Sequence, residues 1–283
     1  TFAPYIELTL AKGLRLKSQF GYTWTQTEKF YYSPSFMPVA DRYHRGGDAT
    51  RSNSQSKNML SETTLSYNRT FKKKHKLNAV AAFTAQNTKW DNYSVSGRGY
   101  LDDNVTAYNM GSLVDKRMLT ETTTASELQR YSVLARFNYS YKGRYHLTVT
   151  GRGDASSNFA ANNKWGFFPS GAFRWNLKNE RWLKNQRWLS EMALRLSAGR
   201  TGNNAISVYR SLEAYGTSTS GAVFDGSQSI TVYPSRLENP DLTWEKTALY
   251  NAALDLSFFK ERLSIYTSWL HGAFFIQETH HIQ

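Results

Sequence analysis

The sequence predicts an all-β fold, a transmembrane antiparallel up-and-down β-barrel to which this chain contributes about ten strands. Three observations predict it. Apolar and polar residues alternate with a period of two over long stretches, and the connections between these stretches are alternately short and long. Aromatic residues are abundant, with 18 Tyr, 16 Phe and 8 Trp, although the mean hydropathy is −0.59. A sheet with one apolar face and one polar face accounts for all three.

The clearest alternation lies in residues 130–154. Between 131 and 141 the odd positions are apolar or aromatic, and between 145 and 151 they are again apolar or small. Successive side chains of a strand point to opposite faces, so this stretch predicts a hairpin around residues 142–144. We expect its odd row to face lipid. The polar residues expected to face a wet interior include Arg136, Asn138 and His146.

The same alternation recurs along the chain and predicts the other strands. We place the strands at roughly 5–10, 14–25, 59–69, 76–89, 130–141, 145–155, 165–176, 192–202, 244–258 and 262–271. Several run past ten residues, whereas ordinary strands have about five or six and a tilted membrane-crossing strand needs about 9–11. The length favours a membrane barrel over a soluble two-sheet sandwich, which also alternates.

The connections support the same fold. Parity of the flanking apolar rows predicts three-residue turns at 11–13 and 142–144, with Gly13 in the left-handed conformation, and a four-residue turn at 259–262. Long polar segments cover 26–58, 91–129 and 203–243. Tight turns at one end and long loops at the other are typical of outer-membrane barrels.

One connection at the turn end, residues 176–192, is longer and contains Trp182, Leu183, Trp188 and Leu189 among basic and amide side chains. It is consistent with a small helical plug over the sheet end. On the barrel hypothesis we prefer an interfacial aromatic belt at headgroup level.

Composition excludes several classes. No run of about 18 apolar residues predicts a transmembrane helix, and no signal peptide is present, so either the protein is not exported or the sequence lacks its true amino terminus. The absence of Cys excludes disulfides. The net charge of +13 comes from scattered Lys and Arg with one run at 72–74, which indicates a solvated face and not a nucleic-acid site.

The sequence predicts no enzyme, no catalytic residue, no metal site and no cofactor. It contains no nucleophile-elbow, phosphate-loop or dinucleotide motif. The pair His280-His281 has no third ligand at a suitable spacing, and adjacent strand residues point to opposite faces.

Aromatic residues in the long segments are weak candidates for binding a substrate. Rings beside amides and carboxylates suit stacking on sugars or clasping peptides, although loop aromatics also pack on one another. The candidates are Tyr31, Tyr32, Trp90, Tyr93, Tyr100 and Tyr233.

The stretch YHLTVTGRGDASSNFAANNKWGFFPSGAFRWNL, residues 145–177, resembles the SusC/RagA-like family of TonB-dependent outer-membrane transporters of Bacteroidetes. The residues that match the family pattern are Asp154, Ser156, Ser157, Phe159, Asn162, Asn163, Gly166, Phe168, Pro169 and Ser170. Ala155 and Asn158 depart from the usual Gly and Arg. Residues 194–204 and 238–264 also match, and residues 5–24 and 64–86 look like barrel strands of the family, so the resemblance covers nearly the whole chain.

The resemblance implies that residues 1–283 are part of a larger, 22-stranded barrel, with the plug domain and the C-terminal strands outside this chain. It implies an importer of oligosaccharides or peptides in the bacterial outer membrane. The implied partners are a SusD-like surface lipoprotein as lid, the TonB complex acting through the plug, outer-membrane lipid and the substrate, with no nucleic acid. The residues alone leave two alternatives open: a passive porin or adhesin barrel, and a soluble basic β-protein that binds polysaccharide or nucleic acid.

Overall fold

The computed structural model describes residues 1–38, 46–104, 106–113, 115–224 and 227–275. In this part of the chain there are twelve strands and four single-turn 3-10 helices. The strands are β1 (Tyr5–Ala11), β2 (Leu14–Ser33), β3 (Gly47–Phe71), β4 (His75–Tyr100), β5 (Leu119–Tyr141), β6 (Tyr145–Ser156), β7 (Trp165–Asn176), β8 (Leu189–Asn203), β9 (Ala214–Phe224), β10 (Ser227–Arg236), β11 (Glu245–Phe258) and β12 (Leu263–Phe275). The 3-10 helices are Thr106–Tyr108, Met110–Ser112, Lys116–Met118 and Leu177–Asn179. None of these helices is long and apolar enough to cross a bilayer.

Ten of the strands form one sheet in chain order, from β1 to β8 and then β11 and β12. This up-and-down order confirms the predicted topology. The remaining two strands, β9 and β10, form a separate two-stranded sheet, a hairpin between β8 and β11 in the chain. The sequence prediction did not include this hairpin.

The pairing register keeps an apolar face and a polar face separate. One row across β5, β6, β7, β8 and β11 consists of Phe137, Val149, Gly171, Ala198 and Tyr250. The adjacent row consists of Asn138, Thr148, Ala172, Ser197 and Asn251. Paired residues share a face, and a slip by one residue would exchange the faces. The register therefore continues each strand's alternation across the sheet.

The apolar face is open to the surroundings. Phe137 is 43% exposed and Val149 is 50% exposed, and Tyr139 and Leu256 are partly exposed. No protein layer from the described residues buries these side chains. This confirms the prediction that the odd row of β5 does not face a protein core, and it excludes the two-sheet sandwich for this part of the chain.

The long strands extend much further than predicted. Strands β2, β3, β4 and β5 contain 20, 25, 26 and 23 residues. At about 3.3 Å per residue, β4 is roughly 85 Å long, whereas the apolar band of a membrane barrel is about 25 Å tall. The predicted loops at 26–58, 91–129 and 203–243 were therefore wrong in extent, because much of each segment is strand.

Two of the predicted tight turns are confirmed, and the first is one residue shorter than predicted. Gly13 has φ +84, as predicted, but the ladder shifts register between Thr9 and Ala11, so that Ala11 pairs with Leu14 and residues 12–13 connect β1 to β2. Residues 142–144 connect the closing pair Tyr141 and Tyr145. Residues 259–262 connect the closing pair of β11 and β12.

The chain divides into two compact units. The first comprises residues 1–4, 20–60 and 86–128, and its small core contains Tyr100 and Leu113. The second comprises residues 5–19, 61–85 and 129–283, and its core contains Phe159, Phe168 and Trp244. Both cores are small, as expected of a sheet that buries neither face against a second layer.

Candidate functional site

A ladder of polar side chains crosses four neighbouring strands on the polar face. Asn78 Nδ2 donates to Asn68 Oδ1. Asn138 Nδ2 donates to Asn78 Oδ1 at 3.0 Å, and Thr148 Oγ1 donates to Asn138 Oδ1 at 2.8 Å. All four line an open cavity of about 530 Å³ at the turn end of β3 to β6. These side chains are hydrogen-bonded to one another and remain accessible, as expected on a face in contact with water.

Charged side chains continue this polar face on β7, β8 and β11. The Arg195 guanidinium donates two bonds to Asp255, at 2.8 and 2.7 Å, and Arg174 donates to Glu191 at 2.5 Å. Arg174 also lies 3.8 Å from Asp255. The Asp255 side chain is only 5% exposed. A nearly buried carboxylate needs such a bidentate partner, so this cluster ties three strands together on the wet side.

The apolar face carries a row of aromatic rings at the turn end. His75 Nδ1 lies 2.7 Å from the Tyr139 hydroxyl, and the row continues through Tyr141, Tyr145 and Trp175 with ring centroids 4.9 to 6.5 Å apart. Amphipathic rings at one level of a strand set are typical of a membrane–water interface.

Glu180 binds to this row from the connection 177–188. It accepts bonds from the Tyr145 hydroxyl at 2.6 Å, from Trp175 Nε1 at 3.2 Å and from Arg144 at 3.0 Å. The Tyr145 hydrogen bond is the main cause that lowers the pKa of Glu180. The carboxylate therefore fixes the connection against the aromatic row.

The predicted belt residues divide into two groups. Trp182 is 62% exposed and Trp188 is 50% exposed, and Trp188 stacks on Phe258 at 5.8 Å. Both are available to an interface. Leu189 is 3% exposed, so its predicted place in the belt was wrong: it begins β8 and pairs with Phe258.

Of the six candidate loop aromatics, the structure brings Tyr32 and Tyr100 together, because Tyr32 packs against the core that contains Tyr100. Tyr31 is 59%, Tyr93 43%, Trp90 38% and Tyr233 49% exposed, so their rings are accessible. Tyr100 is 2% exposed, belongs to the core of the first unit and donates its hydroxyl to the Met110 carbonyl at 3.1 Å. Tyr100 therefore packs among loop residues, which is the alternative to substrate binding that the sequence left open.

Tyr32, the sixth candidate, belongs to a polar cluster around Asp103. The Tyr32 hydroxyl donates to Asp103 Oδ1 at 2.7 Å, and the Ser35 amide and hydroxyl donate to the same carboxylate at 2.9 and 2.8 Å. These bonds, with that of Tyr32 the largest, lower the pKa of Asp103. Asp103 thereby connects the end of β2 to the segment that follows β4.

We expect Asp103→Asn to loosen the segment 101–104, because the amide loses the charge that strengthens all three hydrogen bonds. Limited proteolysis at neutral pH should cut this segment faster than in the parent protein. Asp102→Asn is the matched control, since the hydrogen bonds of Asp102 within the described part of the chain go to nearby Asn104. Because the folded pKa of Asp103 is lowered, its contribution is present above the ordinary carboxyl pKa and is lost as pH falls through the lowered value. Equal cleavage of the two variants would contradict this role.

A stacked aromatic pair near the same segment was missed by sequence reasoning. Phe30 and Tyr108 stack at 5.6 Å, and the Arg51 guanidinium lies over the Phe30 ring at 4.9 Å. Phe30 is 45% and Tyr108 79% exposed. An exposed flat pair with a cation is a better platform for a sugar or peptide than any single ring. Sequence reasoning missed this arrangement because the three residues lie far apart in the sequence.

The motif stretch forms the core of the second unit. Phe168 and Phe159 pack on Trp244 with centroids 5.3 and 4.8 Å apart, and Trp244 Nε1 donates to the Lys164 carbonyl at 2.9 Å. A Cβ at Gly202 would lie 2.0 Å from the Phe168 ring, so this position requires glycine. The motif residues therefore build one packed joint between loops.

The described residues contain no group of three or more His, Asp or Glu side chains that could hold a metal ion. His280 and His281 lie outside the described residues. The polar face and the exposed aromatics thus offer hydrogen bonding, charge pairing and ring stacking, which are means of binding a passing solute.

The comparison with family models decides the family. The model of the TonB dependent receptor-like β-barrel matches residues 5–276 of the 283. The chain belongs to this family. It is therefore part of an outer-membrane β-barrel, as predicted. The soluble alternative is thereby removed.

The curated relatives are receptors of Bacteroidetes. The TonB-dependent receptor P3 of Formosa agariphila is 31% identical over 92% of this chain and 25% of its own length. The TonB-dependent receptor SusC of Bacteroides thetaiotaomicron is 36% identical over 53% of this chain and 15% of its own length. The chain thus spans about a quarter, or less, of the relatives it matches. These names confirm the predicted SusC-like identity of the barrel.

Solved structures agree on the fold. The RagAB peptide transporter matches with a TM-score of 0.83 and 24% identity, over 95% of this chain and 29% of that chain. The RagAB peptide importer in the open-open state matches with a TM-score of 0.82. At this identity the likeness shows the fold alone, and it confirms the predicted resemblance to RagA-like barrels.

Proposed function

We propose that residues 1–283 form part of the barrel wall and outer vestibule of a TonB-dependent importer of oligosaccharides or peptides. The observation that carries the proposal is the family match over residues 5–276. It is supported by the polar face, which offers amides and paired charges to a solute, and by exposed aromatics on the strands and segments at the loop end. The likeness to the RagAB peptide transporter is consistent with a peptide among these substrate classes.

The proposal includes the remaining parts of the transporter. A plug domain and further strands would complete the barrel, and the TonB complex would supply energy by acting on the plug. A SusD-like surface lipoprotein would close the loop end as a lid. The reaction is conformational, and no covalent step is assigned to any residue of this chain.

An uptake assay in the native host tests energy coupling. We expect uptake of a labelled oligosaccharide or peptide by the full-length transporter to stop when TonB is deleted. In planar bilayers the purified protein should give no steady open channel, because the plug fills the lumen. Continued uptake without TonB, together with a steady large conductance, would support the passive porin alternative instead.

We propose that accessible aromatics bind the substrate. We propose Tyr31, Trp90, Tyr93 and Tyr233 as candidates, together with the Phe30–Tyr108 pair. Alanine at Tyr108 should weaken binding by about 1–3 kcal/mol, the range typical of stacking by one ring. Binding to the purified transporter by calorimetry measures it. Tyr100→Phe is the control, because the buried Tyr100 ring has no access to a solute.

A further inference from the structure

Charge is distributed unevenly between the two ends of the sheet. The five connections at the turn end are 12–13, 72–74, 142–144, 177–188 and 259–262. They contain twelve Lys and Arg against two Glu, a formal charge of +10 out of +13 for the chain. All the other connections together contain six basic and eight acidic residues. The basic residues are thus not evenly scattered, contrary to the sequence-based expectation. We call the Lys and Arg residues of the five connections the basic turn surface.

Most of this charge is available to a partner. Lys72, Lys73, Lys74 and Lys142 are all exposed. The Lys142 amide donates to the Lys74 carbonyl at 2.7 Å, which holds two of the turns side by side. Among the ion pairs of the described residues, only Arg144 of the basic turn surface has a carboxylate partner, Glu180. The whole surface lies within the second unit.

The basic turn surface directly adjoins the aromatic row. Tyr141 and Tyr145 flank the turn 142–144, and Lys142 Nζ lies 4.9 Å from the centroid of the Tyr141 ring. Exposed Trp182 and Trp188 lie in the same connection as Arg181, Lys184 and Arg187. Aromatic rings prefer the headgroup level of a bilayer, and flexible Lys and Arg next to them reach phosphate oxygens.

We propose that the basic turn surface binds anionic phospholipid headgroups in the periplasm-facing leaflet and enriches such lipids around the transporter. Short turns of outer-membrane barrels face the periplasm, so this surface meets the phospholipid leaflet. An acidic polymer or protein would account for the charge but not for its continuity with the aromatic row. The surface is formed by the short turns and contains none of the residues proposed to bind solute, so lipid binding is an additional function of the same chain.

The test uses the full-length transporter reconstituted in vesicles of phosphatidylcholine and phosphatidylglycerol at 3:1. Polymer nanodiscs are cut from the vesicles, and the ratio of the two lipids around the protein is measured by mass spectrometry. We expect phosphatidylglycerol to be enriched at least about twofold around the protein. The upper limit is an enrichment of about fivefold for each well-placed basic side chain. The enrichment should fall when the ionic strength is raised, since exposed charges are screened.

Matched charge variants make the test specific. The variant K72Q/K73Q/K74Q/K142Q removes four of the twelve basic residues and should reduce the enrichment clearly. The control K29Q/R98Q/K164Q/R210Q loses the same charge at exposed positions outside the five connections and should keep the enrichment. Folding of each variant is checked by its mobility in an unheated gel. No enrichment in the parent protein, or equal loss in both variants, would overturn the proposal. Enrichment around the parent protein that does not fall with rising ionic strength would also overturn the proposal. This measurement does not depend on whether the turn variant folds.

Discussion

Val149→Arg is expected to lower the free energy of unfolding of the barrel by about 2–4 kcal/mol, the cost of Arg on a lipid face near the bilayer midplane. Val149 is 50% exposed on the apolar face and pairs with Phe137. It lies four residues from Tyr145 in the aromatic row, which is about 13 Å along the strand. A tilted strand thereby places it near the middle of an apolar band about 25 Å tall. Chemical unfolding of the full-length protein in vesicles, followed by gel mobility, measures the loss.

Ala172→Arg is the matched control. Ala172 pairs with Thr148 on the opposite face of the same sheet and is exposed. On a water-filled side an added guanidinium is solvated, so this variant should unfold within about 1 kcal/mol of the parent protein. Equal destabilisation by the two substitutions would contradict the prediction that hydrocarbon covers one face of the sheet and water the other.

Trp244→Ala should open the loop joint of the second unit, with a local cost of about 3–5 kcal/mol. The substitution removes a ring that packs on Phe159 and Phe168, and it leaves the Lys164 carbonyl without its indole donor. Hydrogen exchange of the Ala160 amide, which donates to the Leu242 carbonyl, reports the opening. Exchange should become about a hundredfold faster or more, as expected for this energy in a local opening.

Trp165→Ala controls for the loss of a tryptophan. Trp165 is 60% exposed, at the start of β7, and makes no ring stack with the described residues. Exchange at Ala160 should change by less than about fivefold, in line with a surface substitution. Unchanged exchange in Trp244→Ala would show that the three rings do not hold the joint.

The sequence predicted the sheet wherever hydrocarbon imposes a pattern. In β5 and β6 the odd residues are apolar because lipid covers them, and parity across 142–144 then determines the register. Residues 47–58, by contrast, are polar at nearly every position yet belong to β3. Beyond the membrane no hydrocarbon imposes an apolar face on a strand, so no period of two marks it, although single residues such as Ala49 are packed by neighbouring segments. The β9–β10 hairpin was missed for the same reason.

The candidate site was less predictable because its contacts are distant in sequence. Tyr31 and Tyr100 are alike as loop tyrosines, yet one is exposed and the other lies in a core with Ala49 and Leu113. Burial of Tyr100 depends on Ala49 of another strand and on the irregular segment that contains Ala107 and Leu113, and no local pattern encodes it. The Phe30–Tyr108 pair was missed for the same reason, although each ring alone was visible in the sequence.

The most direct test of the account is a nitroxide scan of residues 131–141 in the full-length transporter in vesicles. These 283 residues contain no Cys, so single cysteines here add no background from this part of the protein. The account predicts that collisions with oxygen, which dissolves in hydrocarbon, peak at odd positions such as 133 and 137. Collisions with a water-soluble nickel chelate should peak at even positions such as 136 and 138. Odd positions shielded from both reagents would mean that protein covers the apolar face, and would contradict it.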